Sequence, residues 1–129
     1  MSLHRESSGA GTDIALLHGW GLHGGIFADF AERLARHHGV HVLDLPGHGN
    51  TPADERWSLE ALAESMWQQL DALGLERVAL VGHSMGCRVI LEAASHRPSA
   101  VAALMLVDGS RNAPLGPRQE AQAKALETM

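Results

Sequence analysis

Val78-Ala-Leu-Val-Gly-His-Ser-Met-Gly86 joins a short apolar run directly to the pattern Gly-x-Ser-x-Gly. The run has the length and composition of a buried strand, and the residues from Ser84 to about His96 have helical spacing. A Gly-x-Ser-x-Gly at a strand-to-helix junction is typical of a nucleophile elbow, a strained turn that exposes the serine hydroxyl. The glycines are needed because side chains there would collide with the neighbouring strand and helix. We therefore predict that Ser84 is a nucleophile, the simpler alternative being an ordinary helix N-cap.

Apolar runs and helical segments alternate along the chain. The apolar runs are short and poor in charge, and they cover residues 14–17, 40–45, 78–81 and 101–107. Segments with helical spacing lie between them at 26–37, at 58–74 and at 84–96, and a further polar helix is expected after Pro117. This alternation predicts an α/β fold with a mostly parallel sheet and helices on both faces. Residues 1–11 are expected to be a loose lead-in.

Composition excludes several classes of protein. The chain has 129 residues, of which 45% are hydrophobic, so a wholly disordered chain is excluded. The net charge of −5 argues against a nucleic-acid partner, and no apolar run is long enough to cross a membrane. A single cysteine, Cys87, excludes an internal disulfide. We expect a cytoplasmic protein.

Gly19-Trp-Gly-Leu-His-Gly24 also matches the glycine fingerprint of dinucleotide-binding proteins. Asp44, 20 residues after Gly24, would then bind the ribose. Two features argue against this interpretation. The turn carries the bulky Trp20, and Asp44 is followed by Leu-Pro-Gly-His-Gly rather than by a helix.

Three motifs together resemble a known family. His18-Gly-Trp-Gly21, Asp44-Leu-Pro-Gly-His-Gly49 and Gly82-His-Ser-Met-Gly86 follow the first three predicted strands, as in the α/β-hydrolase fold. The resemblance covers residues 12–108, the N-terminal part of that fold, and makes 109–129 the start of a lid. Within the family the chain is most similar to small carboxylesterases such as the pimeloyl-carrier-protein methyl ester esterases of biotin synthesis.

The resemblance implies a role for several residues. Ser84 would form an acyl-enzyme, while the backbone N–H groups of Trp20 and Met85 would bind the oxyanion, with Trp20 also lining the acyl pocket. Arg88 would contact an anionic substrate, because Ser84-Met-Gly-Cys-Arg88 looks like the menaquinone-pathway cyclohexadiene carboxylate synthase. Asp108 stands where a minority of the family places the triad acid. No cofactor is implied, and the substrate would be a small ester.

A metal site is disfavoured by the sequence. His37-His-x-x-His41 is the densest group among nine histidines, yet it has no cysteine or carboxylate cluster beside it and straddles a predicted helix-to-strand turn. No zinc motif of the His-Glu-x-x-His or Cys-x-x-Cys type is present.

The general base is the missing part of this pattern. The family's triad runs Ser, acid, His along the chain, and the sole histidine after Ser84 is His96, at the far end of the predicted helix. We therefore expect a chain truncated after the strand that ends near Asp108, with weak or no activity alone. The apolar strand 101–107 would then be an unpaired edge, open to self-association or to a complementing chain. A carbon–carbon lyase or synthase of the menaquinone type and a non-catalytic binding module remain as alternatives.

Overall fold

The computed structural model describes residues 3–19, 22–52 and 58–107. These residues form one five-stranded sheet in the order β1-β3-β2-β4-β5. The elements are, in chain order, β1 (Arg5–Ser8), β2 (Thr12–Leu17), a 3-10 turn (Gly24–Phe27), α1 (Ala28–Leu34), β3 (His38–Leu43), α2 (Leu59–Ala72), β4 (Val78–His83), α3 (Met85–His96), a 3-10 turn (Pro98–Ala100) and β5 (Val101–Val107).

The predicted α/β architecture is confirmed. Strands β2, β3, β4 and β5 are parallel to one another, and β1 alone runs antiparallel, against β3. Helix α1 packs on one face of the sheet with Ala31, next to Phe27 of the preceding 3-10 turn, and α2 and α3 cover the other face. Because the inner strands are covered on both faces, their apolar residues run continuously instead of alternating with polar ones.

Helix α2 shows how local sequence sets the element boundaries. The Ser58 hydroxyl accepts a hydrogen bond from the N–H of Ala61 at 3.0 Å and so caps the helix. Its apolar face, which includes Leu62, Met66 and Leu70, is buried. Gly74, with φ of 74°, follows the helix in the left-handed conformation that a C-terminal glycine adopts at little steric cost.

The N-terminal segment is more ordered than the sequence suggested. Residues 1–11, expected to be a loose lead-in, contain β1, and Leu3 before it is 3% exposed in the main core. The four residues of β1 are polar and exposed, so they give no hydrophobic alternation to read. Backbone pairing with β3, from Arg5 opposite Leu43 to Ser8 opposite Val40, forms this strand instead.

The first predicted helix is also shorter than its apolar pattern. Of residues 26–37, only Ala28–Leu34 form α1, and a 3-10 turn precedes it. The glycine pair Gly24-Gly25 lies in that turn, where the poor helix propensity of glycine favours a tighter start. The proposed lid, residues 109–129, lies outside the described residues.

Strand β5 forms one border of the sheet. It pairs with β4 alone among the described strands, and residues 104–107, which read Leu-Met-Leu-Val, are between 38% and 51% exposed. In the described part of the chain, no helix is long and apolar enough to cross a membrane.

Candidate active site

The turn after β4 holds Ser84 in a strained backbone conformation. Its φ of 54° and ψ of −115° make it the one non-glycine residue with positive φ in the described part of the chain. Such a conformation costs about 1–3 kcal/mol and persists where the surrounding structure enforces it. Ser84 occupies the N-cap position of α3, but its hydroxyl makes no capping hydrogen bond there. The hydroxyl is therefore not used to hold the helix.

Two glycines permit this turn by close backbone packing. A Cβ atom on Gly82 would lie 2.5 Å from the carbonyl carbon of Gly86, in the first turn of α3. A Cβ atom on Gly86 would overlap the carbonyl oxygen of Leu17, at the end of β2. Strand β4 and helix α3 can meet at this angle only without side chains at both positions.

The loop after β2 runs directly beside the nucleophile. A Cβ atom on Gly19 would lie 2.8 Å from the Cβ atom of Ser84, so the Gly19 backbone touches the serine. Trp20, the predicted second oxyanion donor and pocket wall, follows at once in sequence and lies outside the described residues. The structure thus places the start of the predicted oxyanion loop against Ser84.

His18 ties this loop to the next one. Its side chain is fully buried, Nε2 accepts a hydrogen bond from the N–H of Leu45 at 2.9 Å, and Nδ1 lies 2.8 Å from the carbonyl oxygen of Gly19. Because a backbone N–H can only donate, Nε2 carries the lone pair and Nδ1 carries the proton. Burial lowers the pKa of His18, and the positive charge that His48 can carry lowers it further. His18 is therefore a neutral brace, not a base.

Asp44 connects the same two loops by a second route. Its carboxylate, 5% exposed, accepts the N–H of Gly24 at 2.6 Å with Oδ1 and the N–H of Asn50 at 3.0 Å with Oδ2. The hydroxyl of Thr51 donates to the Asp44 carbonyl at 2.7 Å. Both carboxylate oxygens already accept backbone hydrogen bonds, which argues against the ribose-binding role of the dinucleotide interpretation. Sequence reasoning missed the bracing role, although an aspartate at a strand end before Gly-x-Gly was a usable signal.

Met85 begins α3, immediately after the nucleophile. The first N–H groups of a helix have no acceptor within it, and they lie at the positive end of the helix dipole. The N–H of Met85 is therefore free of intrahelical bonding and suited to a developing negative charge. The neighbouring N–H of Cys87 is used differently, since it donates to the Ser84 carbonyl at 3.0 Å.

Arg88 lies in the first turns of α3 and is 9% exposed. Its Nε is buried and has no hydrogen-bond partner in the described part of the chain. A buried guanidinium N–H without an acceptor costs free energy, about 1–3 kcal/mol or more for a charged group. This position therefore favours an acceptor supplied by a ligand or by another part of the protein.

Ser84 has no base among the described histidines. His96 ends α3 and is bound to Glu92 at 3.2 Å, about 18 Å along the helix from Ser84. His48 packs against His18 with ring centroids 5.1 Å apart. Asp108, the candidate acid, lies outside the described residues.

Cys87 behaves as a small packing residue. Its side chain is 1% exposed, and the thiol donates to the Gly82 carbonyl at 3.1 Å. As for metal ligands, residues 3–19, 22–52 and 58–107 contain no group of three or more histidine, cysteine or carboxylate side chains able to hold an ion.

Comparison with known proteins agrees with this geometry. The family profile of the alpha/beta hydrolase fold matches residues 14–129. The chain is 42% identical over 110 residues to a pimeloyl-[acyl-carrier protein] methyl ester esterase of Methylococcus capsulatus, covering 85% of this chain and 42% of that protein. It is 41% identical over 107 residues to the protein of that name from Chromobacterium violaceum, covering 83% of this chain and 41% of that protein.

A solved structure shares the fold. The thermophilic esterase of Thermogutta terrifontis superposes with a TM-score of 0.81 at 27% identity, covering 96% of this chain and 46% of that one. The chain spans about two fifths of the length of the curated relatives, which have 42% and 41% of their residues matched. With the motifs, the elbow and these matches in agreement, the chain belongs to the α/β-hydrolase fold family.

Proposed function

We propose that the chain carries the nucleophile and oxyanion loop of a serine hydrolase of the carboxylesterase type. One observation supports this most strongly. Ser84 adopts φ of 54° between a strand and a helix, with its hydroxyl unused as a helix cap. A fold gains no stability from a strained serine there, whereas a nucleophile gains exposure at the carboxyl end of the sheet.

The proposed reaction has two stages. The Ser84 Oγ attacks the carbonyl carbon of a small ester or thioester, its proton passes to a general base, and the alcohol or thiol leaves with a proton. Water then attacks the acyl-enzyme, releasing the acid and restoring the serine hydroxyl. All nine histidines of the chain are among the described residues, and no hydrogen bond joins any of them to Ser84 there.

The oxyanion of each tetrahedral intermediate would bind the N–H groups of Met85 and Trp20. A donor of this kind contributes about 2.7–4 kcal/mol to transition-state stabilisation in serine hydrolases. His18 and Asp44 support this site indirectly, since they fix the loops after β2 and β3, and the first of these loops touches Ser84 at Gly19. Without a complete triad, binding and the oxyanion hole together give at most about 10³–10⁴-fold acceleration over water. We therefore propose that the chain alone is a weak esterase.

The names of the relatives guide the substrate proposal. The two proteins cited above are named methyl ester esterases of a pimeloyl group on acyl-carrier protein. We propose a methyl ester of a carrier-bound acyl chain as the substrate class, acted on in the cytoplasm, where free thiols such as that of Cys87 stay reduced.

A fluorophosphonate probe tests the nucleophile directly. We expect the probe to label Ser84 in the 129-residue chain, and Ser84→Ala to remove that labelled peptide. Ser95→Ala is the matched control, because Ser95 is an exposed serine of the same helix whose hydroxyl bonds to the Glu92 carbonyl. Labelling of Ser84 no faster than of Ser95 would overturn the proposal and favour a non-catalytic binding module.

Arg88 favours a second candidate, a lyase or synthase of the menaquinone type. Its buried, unpartnered Nε–H would donate a hydrogen bond to a carboxylate of an anionic diketo acid. On this candidate, a diketo acid protects Ser84 from the probe better than its methyl ester does. Arg88→Gln would abolish that difference, while Arg33→Gln, on the exposed side of α1, would preserve it. Equal protection by acid and ester would eliminate the candidate.

For partners, we propose that strand β5 is an association surface. It is a border strand with residues 104–107 exposed and apolar, and such edges accept further strands. In a solution of the purified protein, the partner is a second copy of the same chain. A complementing chain would occupy the same edge.

A further inference from the structure

A second serine, far from Ser84, makes a hydrogen-bonded chain with a histidine and an aspartate. The Oγ of Ser7 lies 2.7 Å from Nδ1 of His41, and Nε2 of His41 lies 3.0 Å from Oδ1 of Asp13. These residues belong to three adjacent strands, β1, β3 and β2. Ser7 pairs with His41, and Ala15, two residues after Asp13, also pairs with His41. All three side chains therefore share one face of the sheet.

The hydrogen bonds among Ser7, His41 and Asp13 all run in one direction. An ionised Asp13 carboxylate can only accept, so His41 carries its proton on Nε2. Nδ1 then holds a lone pair and accepts the hydroxyl proton of Ser7. The hydroxyl oxygen itself accepts a hydrogen bond from Nη1 of Arg5 at 2.7 Å. Ser7 thus has an oriented base on one side and a cation on the other.

The base of this group is buried and its serine is exposed, as a nucleophile requires. His41 is 9% exposed, which shields the base from competing water, whereas Ser7 is exposed on the border strand. Gly39 leaves room for the aspartate, since a Cβ atom there would lie 2.6 Å from Asp13 Oδ1. The absence of a side chain at Gly39 therefore leaves the Asp13 carboxylate the space that it occupies beside His41.

This group is separate from the elbow. Ser7 is in register with Leu80 of β4 through His41 and Ala15, and Ser84 follows Leu80 by four residues. Four residues of strand correspond to about 13 Å, and the three strand spacings from β1 to β4 correspond to about 14 Å. The two serines are therefore about 19 Å apart.

We propose that Ser7 is a second, base-activated nucleophile, accepting acyl or phosphonyl groups from small activated electrophiles. With a fluorophosphonate, the Oγ–P bond forms as the P–F bond breaks, fluoride leaves, and the hydroxyl proton passes to Nδ1 of His41 and then to solvent. With an activated ester, Oγ attacks the carbonyl carbon, Arg5 stabilises the oxyanion, and His41 returns the proton to the leaving group.

The test uses the full chain carrying Ser84→Ala, so that the elbow cannot react. The protein is incubated with an alkyne fluorophosphonate, digested, and the modification of Ser7 and Ser8 is measured by fragmentation of their shared peptide. Ser8 is an internal control, because it is exposed and adjacent but lies on the opposite face of β1. A positioned general base contributes at least about 100-fold, so we expect Ser7 to react about 100 times faster than Ser8.

Two variants separate activation from mere exposure. His41→Gln removes the base, and Asp13→Asn keeps the shape while losing the charge that orients His41. We expect the first to reduce Ser7 labelling to the Ser8 rate and the second to slow it at least tenfold, with circular dichroism confirming the fold of each. Equal rates at Ser7 and Ser8, or an unchanged Ser7 rate in a folded His41→Gln variant, would overturn the proposal. Failure here leaves the elbow untouched, because Ser84 is scored in the wild-type chain on a different peptide.

Discussion

Nε2 of His18 accepts the N–H of Leu45 at 2.9 Å, and this single bond joins the loop after β2 to the loop after β3. It fixes the tautomer, so that Nδ1 is protonated and faces the Gly19 carbonyl at 2.8 Å. The backbone that touches Ser84 is therefore held by a histidine that must stay neutral. The position of the loop beside Ser84 therefore depends on the protonation state of His18, which takes no part in the chemistry.

His18 should make stability fall in mild acid. Burial lowers its pKa below the ordinary value of 6.5, so the unfolded chain takes up a proton before the folded one does. The His18 contribution is complete above pH 6.5 and is lost as pH falls from there toward the folded-state pKa. Urea unfolding at a series of pH values measures this.

His18→Gln isolates that contribution. We expect the variant to be less stable than wild type by about 1–3 kcal/mol above neutral pH, from the lost buried hydrogen bonds. The difference should shrink as pH falls below 6.5. A constant difference across this range would contradict the assignment of the neutral tautomer.

Asp44→Asn should destabilise both loops. The asparagine amide keeps one acceptor but presents an NH₂ group to a backbone N–H that the carboxylate now satisfies. Leaving one buried donor without a partner costs about 1–3 kcal/mol. Asp29→Asn is the control, because Asp29 is exposed in the first turn of α1, where its charge contributes about 0.3–1 kcal/mol. Equal losses for the two variants, measured by urea unfolding, would refute the bracing role of Asp44.

Ser84→Gly should raise or preserve stability while removing the nucleophile. Glycine relieves the strain of about 1–3 kcal/mol at φ of 54° and ψ of −115°, and its greater freedom in the unfolded chain offsets about 0.5–1 kcal/mol of this. Ser58→Gly is a contrasting substitution, since Ser58 has an extended backbone and its hydroxyl caps α2. We expect the Ser58→Gly variant to be less stable than the wild type. A clear loss on Ser84→Gly would mean that the elbow is not strained.

The glycine positions at the elbow should differ from other glycines in their tolerance of a methyl group. Gly86→Ala forces a Cβ atom into the Leu17 carbonyl, and helix and strand must separate. Gly74→Ala meets no atom within 4 Å and incurs only the cost of positive φ, about 1–2 kcal/mol. We expect Gly86→Ala to lose at least twice as much unfolding free energy and to abolish probe labelling of Ser84. Similar losses of unfolding free energy in the two variants would show that β4 and α3 can move apart at little cost.

Sequence reasoning predicted the fold because the strands contain short apolar runs. Residues 78–81 and 101–107 are such runs, and Ser58 and Gly74 mark the ends of α2 by local chemistry. Strand β1 was missed because its residues are polar, and its pairing with β3 is a long-range contact without a local signal. The Ser7–His41 contact escaped for the same reason, because 34 positions in sequence separate the two residues.

The border strand β5 should mediate self-association of the chain. Leu104, Met105 and Leu106 are 39%, 51% and 50% exposed, and the backbone beyond them has no described neighbour in the sheet. We expect the purified chain to sediment as a dimer or larger species that dissociates on dilution. Met105→Lys should restore a monomer, because a charged side chain on an edge strand opposes pairing with a second copy. Ile26→Lys, at a comparably exposed apolar residue beside α1, should leave association unchanged. A wild-type chain that stays monomeric at high concentration would exclude self-association through β5.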